Sequence, residues 1–277
     1  MNNPFLELNK KRGVLLAAHR GSCGTNVPCN SREAFQVALN YDADIVELDV
    51  ENSSDGRLFI QHPGMERIHL RMYDSIRNYP SDFVAQLKLA NSDSVPTYNN
   101  IMRLEEALDM LKGKAIVNLD KFWRNPDAIA KLVRERGMED QVLIKCYIKD
   151  DQLNDIETYA PDLPFMPMVW TEDDGLERFK NRKMRWVGTE CLFRSDKDPI
   201  ASKEYIEKMH AAGKTVWANS IVYNVKEIIG GGHTDDISVI EDPEKGWGWM
   251  ADRGFDIIQT DWLFHCDYFL KKTERRR

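Results

Sequence analysis

Short apolar, β-branched runs alternate with longer amphipathic stretches from one end of the chain to the other. The apolar runs predict strands at Val14–His19, Asp44–Val50, Ala115–Asp120, Val142–Tyr147, Phe165–Trp170, Trp186–Glu190, Thr215–Asn219 and Asp256–Asp261. Between them, Ser31–Asn40, Leu104–Lys112, Asp127–Arg136, Asp151–Tyr159 and Lys203–Ala212 repeat apolar residues at helical spacing. Strict alternation of strand and helix predicts an α/β fold with parallel strands, a (β/α)8 TIM barrel. The competing doubly wound sheet normally carries a Gly-x-Gly-x-x-Gly turn after its first strand, and none stands there. Asn30 is placed to cap the first of these helices, with Glu33 completing a capping box. Gly137 and Gly213 read as helix stops.

Two stretches break the rhythm. Residues 63–95 have mixed polarity and read as a small insertion after the second strand, inside a single domain spanning 1–277. Residues 220–253 follow the seventh strand and contain Gly230-Gly231-Gly232-His233. Loops after barrel strands gather at the ligand-binding face, so both stretches are lid or specificity candidates, with plain surface excursions as the alternative.

Composition narrows the field. A chain of 277 residues with 42% hydrophobic content can bury a core without needing a metal or a disulfide to fold. Its formal charge of −7 does not suit wrapping a polyanion, which argues against a nucleic-acid partner. The one basic cluster, Lys271 to Arg277, reads as a frayed, solvated tail. No stretch predicts an integral membrane segment. Val14–Ala18 is too short for a signal-peptide core, so the expected compartment is the cytoplasm, although a secreted chain without its leader reads the same. The five cysteines, Cys23, Cys29, Cys146, Cys191 and Cys266, lack zinc-site spacing and are expected to be reduced. A Cys23–Cys29 bridge in their shared glycine-rich loop is the alternative. Oligomeric state is not legible.

The chemistry gathers at strand ends. The first strand ends in His19-Arg20-Gly21, and the second in Glu47-Leu48-Asp49-Val50. Alternation puts Glu47 and Asp49 on one face, and the apolar neighbours Ile45, Val46, Leu48 and Val50 mark that strand as buried. Two buried carboxylates side by side repel unless a cation sits between them. The Asp55-Gly56 turn returns Leu58–Ile60 towards the second strand, carrying His62 back beside Glu47 and Asp49. On the third strand Asn118 and Asp120 share a face, whereas Lys121 points the other way if the strand is regular. Glu47, Asp49 and Asp120 thus offer hard oxygen ligands for a divalent cation, Mg2+ or Ca2+. His19 and His62 suit acid–base catalysis near neutral pH. Arg20, Lys121 and Lys145 add positive charge able to hold a phosphate. These parts together amount to metal-assisted phosphodiester cleavage. Trp217 is either a substrate-facing aromatic wall or a core tryptophan. Glu190 and His233 are lesser site candidates, and Trp247 and Trp249 read as packing or lid residues.

The ordered set His19-Arg20-Gly21, Pro28-x-Asn30-Ser31-x-x-Ala34-Phe35, Glu47-Leu48-Asp49-Val50, Asp55-Gly56 and His62 resembles the glycerophosphodiester phosphodiesterase family. Val95-Pro96-Thr97, Val216-Trp217 and Thr260-Asp261 extend the likeness over nearly the whole chain. The resemblance implies a barrel with an insertion after strand two, a cation on Glu47, Asp49 and a strand-three acid, and His19 and His62 as the acid–base pair. It further implies conversion of a small-molecule glycerophosphodiester to glycerol 3-phosphate and an alcohol, through attack by the neighbouring glycerol hydroxyl. Three departures stand out: Pro63 replaces an Asp, Cys29 replaces an acid, and Asp120-Lys121 replaces a Glu followed two residues later by Lys. They imply a divergent subfamily. Two other readings stay open: a phospholipase D-like enzyme acting on lysophospholipid or sphingolipid head groups, and a phosphate-binding barrel without turnover.

Overall fold

The computed structural model describes residues 3–171, 178–179, 181–222 and 226–277. Its principal strands are β1 (Leu15–Ala18), β2 (Ile45–Asn52), β3 (Ile116–Asp120), β4 (Val142–Tyr147), β5 (Pro164–Val169), β6 (Gly188–Cys191), β7 (Thr215–Asn219) and β8 (Ile257–Thr260). They form the parallel barrel that the alternation predicts. The chain divides into two compact units, Ala18–Lys145 and Met1–Ala17 with Cys146–Arg277.

In the first unit, β2 and β3 run parallel with Glu47 opposite Asn118 and Asp49 opposite Asp120. Laterally paired residues point to the same side of a sheet, so this register alone puts all four polar side chains on one face. The helix Arg32–Asn40 buries Ala34, Phe35 and Ala38. Its cap is Ser31, whose hydroxyl accepts from the Ala34 amide, and not the expected Asn30. Asn30 is instead held in the left-handed region (φ 57°), where a cap residue does not sit.

The Asp55-Gly56 turn does return a strand. Leu58–Ile60 pairs antiparallel with β2, Val50 opposite Ile60. Beyond it lie short helical turns at Glu66–His69, Ile76–Asn78 and Ser81–Val84, then an antiparallel pair, Lys88–Ala90 with Pro96–Asn100. Phe59, Leu70, Ile76, Val84, Leu89 and Ile101 pack into an apolar cluster of their own. Each side chain so buried contributes roughly 1.5–3 kcal/mol, which is what a segment with little regular structure needs to hold a shape. The excursion runs past residue 95, because its hairpin continues through Pro96–Asn100 and Ile101 just beyond joins the same cluster.

In the second unit, β5, β6, β7 and β8 are parallel neighbours, with Glu190 opposite both Met168 and Trp217. The helix Lys203–Ala211 packs against β7. Of the 220–253 excursion, residues 223–225 lie outside the described residues. The rest is fastened by one buried acid. Asp235 Oδ1 accepts from Ser220 Oγ (2.6 Å), Trp247 Nε1 (2.7 Å) and Thr260 Oγ1 (2.7 Å), and Oδ2 accepts from the Asp261 amide. His233 stacks on Trp249 at 3.6 Å between ring centroids, and its Nδ1 lies 2.6 Å from Lys245 O. The basic C-terminus is not a frayed tail. Arg276 is fully buried, donating to Asp267 Oδ1 (2.7 Å) and Val14 O (3.0 Å), while Arg275 is held by Asp252 and Glu244. Charge counted along the sequence could not reveal that acids from elsewhere in the unit await those arginines.

Candidate active site

Asp49 is the centre of the site. It is 1% exposed, and its carboxylate is set among cations, an amide and the two acids Glu47 and Asp120. Oδ2 accepts from Asn30 Nδ2 (2.9 Å) and lies 3.1 Å from Arg20 Nε. Oδ1 lies 3.6 Å from Lys121 Nζ and 3.9 Å from His62 Nε2. Burial by itself would raise the Asp49 pKa, but Lys121, Arg20, His62 and the Asn30 hydrogen bond hold it well below the usual carboxylate range. Two residues back along the same face, Glu47 Oε2 accepts from the Arg20 amide (2.7 Å). Its pKa is pushed up to about 7, by burial first and then by Asp49, against the pull of His19 and Arg20. The two acids expected to share a face do so, and their environments drive them apart.

Backbone conformation assembles these contacts. Arg20 (φ 55°), Asn30 (φ 57°) and Lys121 (φ 62°) all adopt the left-handed conformation that non-glycine residues rarely take. Each such residue costs of order 1 kcal/mol or more, and such conformations cluster at functional sites. At Lys121 the consequence is direct. A regular strand would turn its side chain away from Asp120, but the left-handed turn brings Nζ back onto Asp120 Oδ2, towards Asp49. Asn30, which the sequence offers as a cap and as part of a motif without a role, both donates to the Asp49 carboxylate and accepts from the Asp49 amide (3.3 Å). Asparagine's tolerance of the left-handed region was the available signal.

His62 arrives by the returning strand, whose ladder continues through Gln61 N to Asp49 O (3.0 Å). Its Nδ1 lies 2.8 Å from Pro63 O, which fixes Nδ1 as the protonated nitrogen and leaves Nε2 facing Asp49. Burial lowers the His62 pKa, so the ring is neutral at pH 7. His19, at the end of β1, is partly exposed and close enough for its charge to act on Glu47. Lys145 is almost fully buried on β4, and continuing the β3–β4 register places it opposite Asp120. A third acid on β2, Glu51, escaped the sequence reading. It is fully buried on the same face but is neutralised by Arg124 (2.8 Å) and Arg77 (3.5 Å). Trp217 belongs to the second unit, where it is fully buried on β7. Its indole N–H donates to Asn219 Oδ1 (3.1 Å), and the Asn219 amide donates to Glu190 Oε1 (2.7 Å).

The residues fit a divalent cation. Glu47, Asp49 and Asp120 each present a carboxylate oxygen, and the three oxygens lie within 4.8 Å of one another. Ligands at 2.1–2.4 Å from one ion can be no farther apart than about that distance. Beside them the Asn118 Oδ1, buried on the same face, accepts no hydrogen bond among the described residues. An all-oxygen set without sulfur selects a hard cation.

Comparison with known proteins places the fold. A family described only as a domain of unknown function, DUF4996, matches residues 165–270. A curated glycerophosphodiester phosphodiesterase of Bacillus altitudinis is 28% identical over 139 residues, 47% of this chain and 56% of that protein. The chain thus spans little more than half the length of that relative. A glycerophosphoryl diester phosphodiesterase from Parabacteroides distasonis superposes over 95% of this chain and 87% of its own, with a TM-score of 0.79 at 20% identity. An Oleispira antarctica phosphodiesterase, solved with its product sn-glycerol-3-phosphate, superposes over 94% of this chain and 97% of its own (TM-score 0.67, 17% identity). The fold is that of the glycerophosphodiester phosphodiesterases.

Each departure from the glycerophosphodiester phosphodiesterase pattern has a physical account here. Pro63 removes a carboxylate beside His62, but its own carbonyl orients the imidazole. Lys121 follows Asp120 directly, and the left-handed turn restores its direction. Cys29 forms a disulfide with Cys23, contrary to the expectation of five reduced thiols; Cys146, Cys191 and Cys266 are free and buried. The loop returns on itself through mutual hydrogen bonds between Gly24 and Val27, bringing the two Cα atoms to 4.9 Å. The bond closes the loop between Arg20 and Asn30, both of which touch Asp49. Replacing both cysteines by serine is expected to lower stability by about 2 kcal/mol, the loop entropy of so short a closure. Urea unfolding checks this, and an unchanged midpoint would mean the loop is held without the bond.

Proposed function

We propose that the chain hydrolyses glycerophosphodiesters to glycerol 3-phosphate and an alcohol, a step in breaking down glycerolipid head groups, with the whole chain acting as one barrel domain. The observation that carries this reading is His62 Nε2, oriented through Nδ1 by a backbone carbonyl and facing the cluster of Asp49, Glu47 and Asp120. In this reading neutral His62 removes the proton from the glycerol hydroxyl beside the phosphate. The hydroxyl oxygen attacks phosphorus, the bond to the alcohol oxygen breaks, and His19 supplies the proton that the departing alcohol takes up. Water then opens the cyclic phosphate, with the histidines exchanging proton duties, to leave glycerol 3-phosphate. Arg20, Lys121 and Lys145 hold the phosphate oxygens. Glu47, Asp49 and Asp120 would hold Mg2+ or Ca2+, which when bound polarises a phosphoryl oxygen.

The likeness to the Bacillus altitudinis and Oleispira antarctica enzymes supports the substrate class. The Cys23–Cys29 bond favours an oxidising compartment over the cytoplasm expected from the sequence, since such bonds are rare where thiols are kept reduced. Among the described residues no helix is long and apolar enough to cross a membrane. The test is incubation with glycerophosphocholine, with and without Mg2+ or Ca2+, followed by product analysis. Glycerol 3-phosphate and choline are the expected products. A cyclic lipid phosphate from lysophospholipid, with no glycerol 3-phosphate, would support the phospholipase D-like reading instead. No turnover across a broad diester panel would leave a binding barrel.

A further inference from the structure

The short helical turn Glu66–His69 is inside out. Glu66 and His69, three residues apart and so on one face, are 5% and 9% exposed, whereas Ile68 between them is 53% exposed. Burying an acid and an imidazole while showing an isoleucine to water costs stability, and such local violations belong where function requires them. Among the described residues Glu66 Oε1 and His69 Nδ1 are buried without a hydrogen-bond partner, and so is Oε1 of the fully buried Gln61, next to His62. The turn starts directly beyond His62, with the Met65 amide on His62 O (3.1 Å) and the His69 amide on Met65 O (2.8 Å). His69 is coupled to the site electrostatically. Its pKa is pushed down to about 4 by burial first and then by Arg20, while Asp49 pulls the other way. It is therefore a neutral ring at pH 7.

Resting on the hydrolase reading above, we infer that Glu66, His69 and Gln61 form a polar subsite for hydroxyl groups of the alcohol released from the phosphate. Two of the three unpartnered atoms are acceptors only, so the fitting ligand brings hydrogen-bond donors. A quaternary ammonium such as choline has no N–H to offer. A primary ammonium would bring another positive charge towards Arg20, whose charge already reaches His69. Hydroxyls satisfy the acceptors without adding charge, so the preferred head group is a polyol.

The experiment compares glycerophosphoglycerol with glycerophosphocholine, by steady-state kinetics and by calorimetric binding, in wild type, Glu66→Leu, Glu66→Gln and His69→Leu. Wild type is expected to favour glycerophosphoglycerol about tenfold or more in kcat/KM. Glu66→Leu and His69→Leu should raise KM for that diester about tenfold while changing glycerophosphocholine less than twofold. Glu66→Gln, which keeps an acceptor oxygen, should retain most of the preference. Equal treatment of the two diesters by wild type, or equal losses on both in the leucine variants, would overturn the subsite and leave hydrolysis standing. Selective binding of glycerophosphoglycerol without turnover of any diester would do the reverse. A leucine variant that fails to fold leaves the wild-type preference and the glutamine variant to decide.

Discussion

Replacing His62 by alanine is expected to lower turnover by about a hundredfold or more while leaving the fold intact. The fold should survive because the ring is partly exposed and its described partners are a neighbouring carbonyl and a distant Asp49 oxygen, neither a bond that holds the barrel. Activity should not survive, because no other group described beside Asp49 offers a basic neutral nitrogen; Arg20 and Lys121 are cations, and the Asn30 amide is not a base. The pH profile carries the same argument. A general base works when deprotonated, so kcat/KM should rise with pH through the His62 pKa and then level. Burial lowers that pKa, so the rise falls below the ordinary histidine value of about 6.5. In the alanine variant this acid limb should vanish along with most of the rate. A near-normal rate in the variant, or an unchanged acid limb in what remains, would remove His62 from the base role. Circular dichroism and thermal melting separate lost chemistry from lost structure.

The strands and the acids of the site were legible because both depend on period alone. Alternation along β2 requires Glu47 and Asp49 to share a face, and lateral register carries Asn118 and Asp120 to that face whatever the surrounding loops do. The Asp55-Gly56 turn likewise dictates the return that brings His62 home. What stayed hidden depends on single dihedral angles or on distant partners. Lys121 reads as facing away until its left-handed φ is known, and Asn30 reads as a cap until the same geometry frees its amide for Asp49. Glu51 is indistinguishable by pattern from a ligand. Only the arrival of Arg77 from the insertion and Arg124 from beyond β3 makes it an ion pair. Arg276 looks like tail because its Asp267 partner cannot be inferred from charge runs. The inverted turn at Glu66–His69 passes unnoticed in a four-residue stretch, since a moment so short has no statistical weight; burial exposes it.

Removing divalent cations with EDTA is expected to abolish hydrolysis, and adding Mg2+ or Ca2+ back should restore it. The argument is electrostatic. Glu47 is buried, and desolvation with Asp49 pushes its pKa up to about 7, which favours its protonated form far more than in water. Arg20 and Lys121 lie against Asp49 and Asp120, and the pull of Arg20 and His19 on Glu47 only partly offsets burial and Asp49. A doubly charged ion held by the three carboxylates would complete the offset, and would favour the ionised form of Glu47. Metal affinity should therefore weaken as pH falls below about 7, by up to tenfold per unit where one proton is exchanged. Binding to the folded chain alone also raises stability, by about 2.7 kcal/mol at a hundredfold excess over Kd. The thermal midpoint in Ca2+ or Mg2+ should accordingly exceed that in EDTA. Asp49→Asn should lose both the metal-dependent rise in midpoint and the activity, because it removes one ligand and leaves Arg20 and Lys121 facing an uncharged amide. Full activity in chelator would take the cation out of the reaction, and a midpoint indifferent to metal would take it out of the carboxylate cluster.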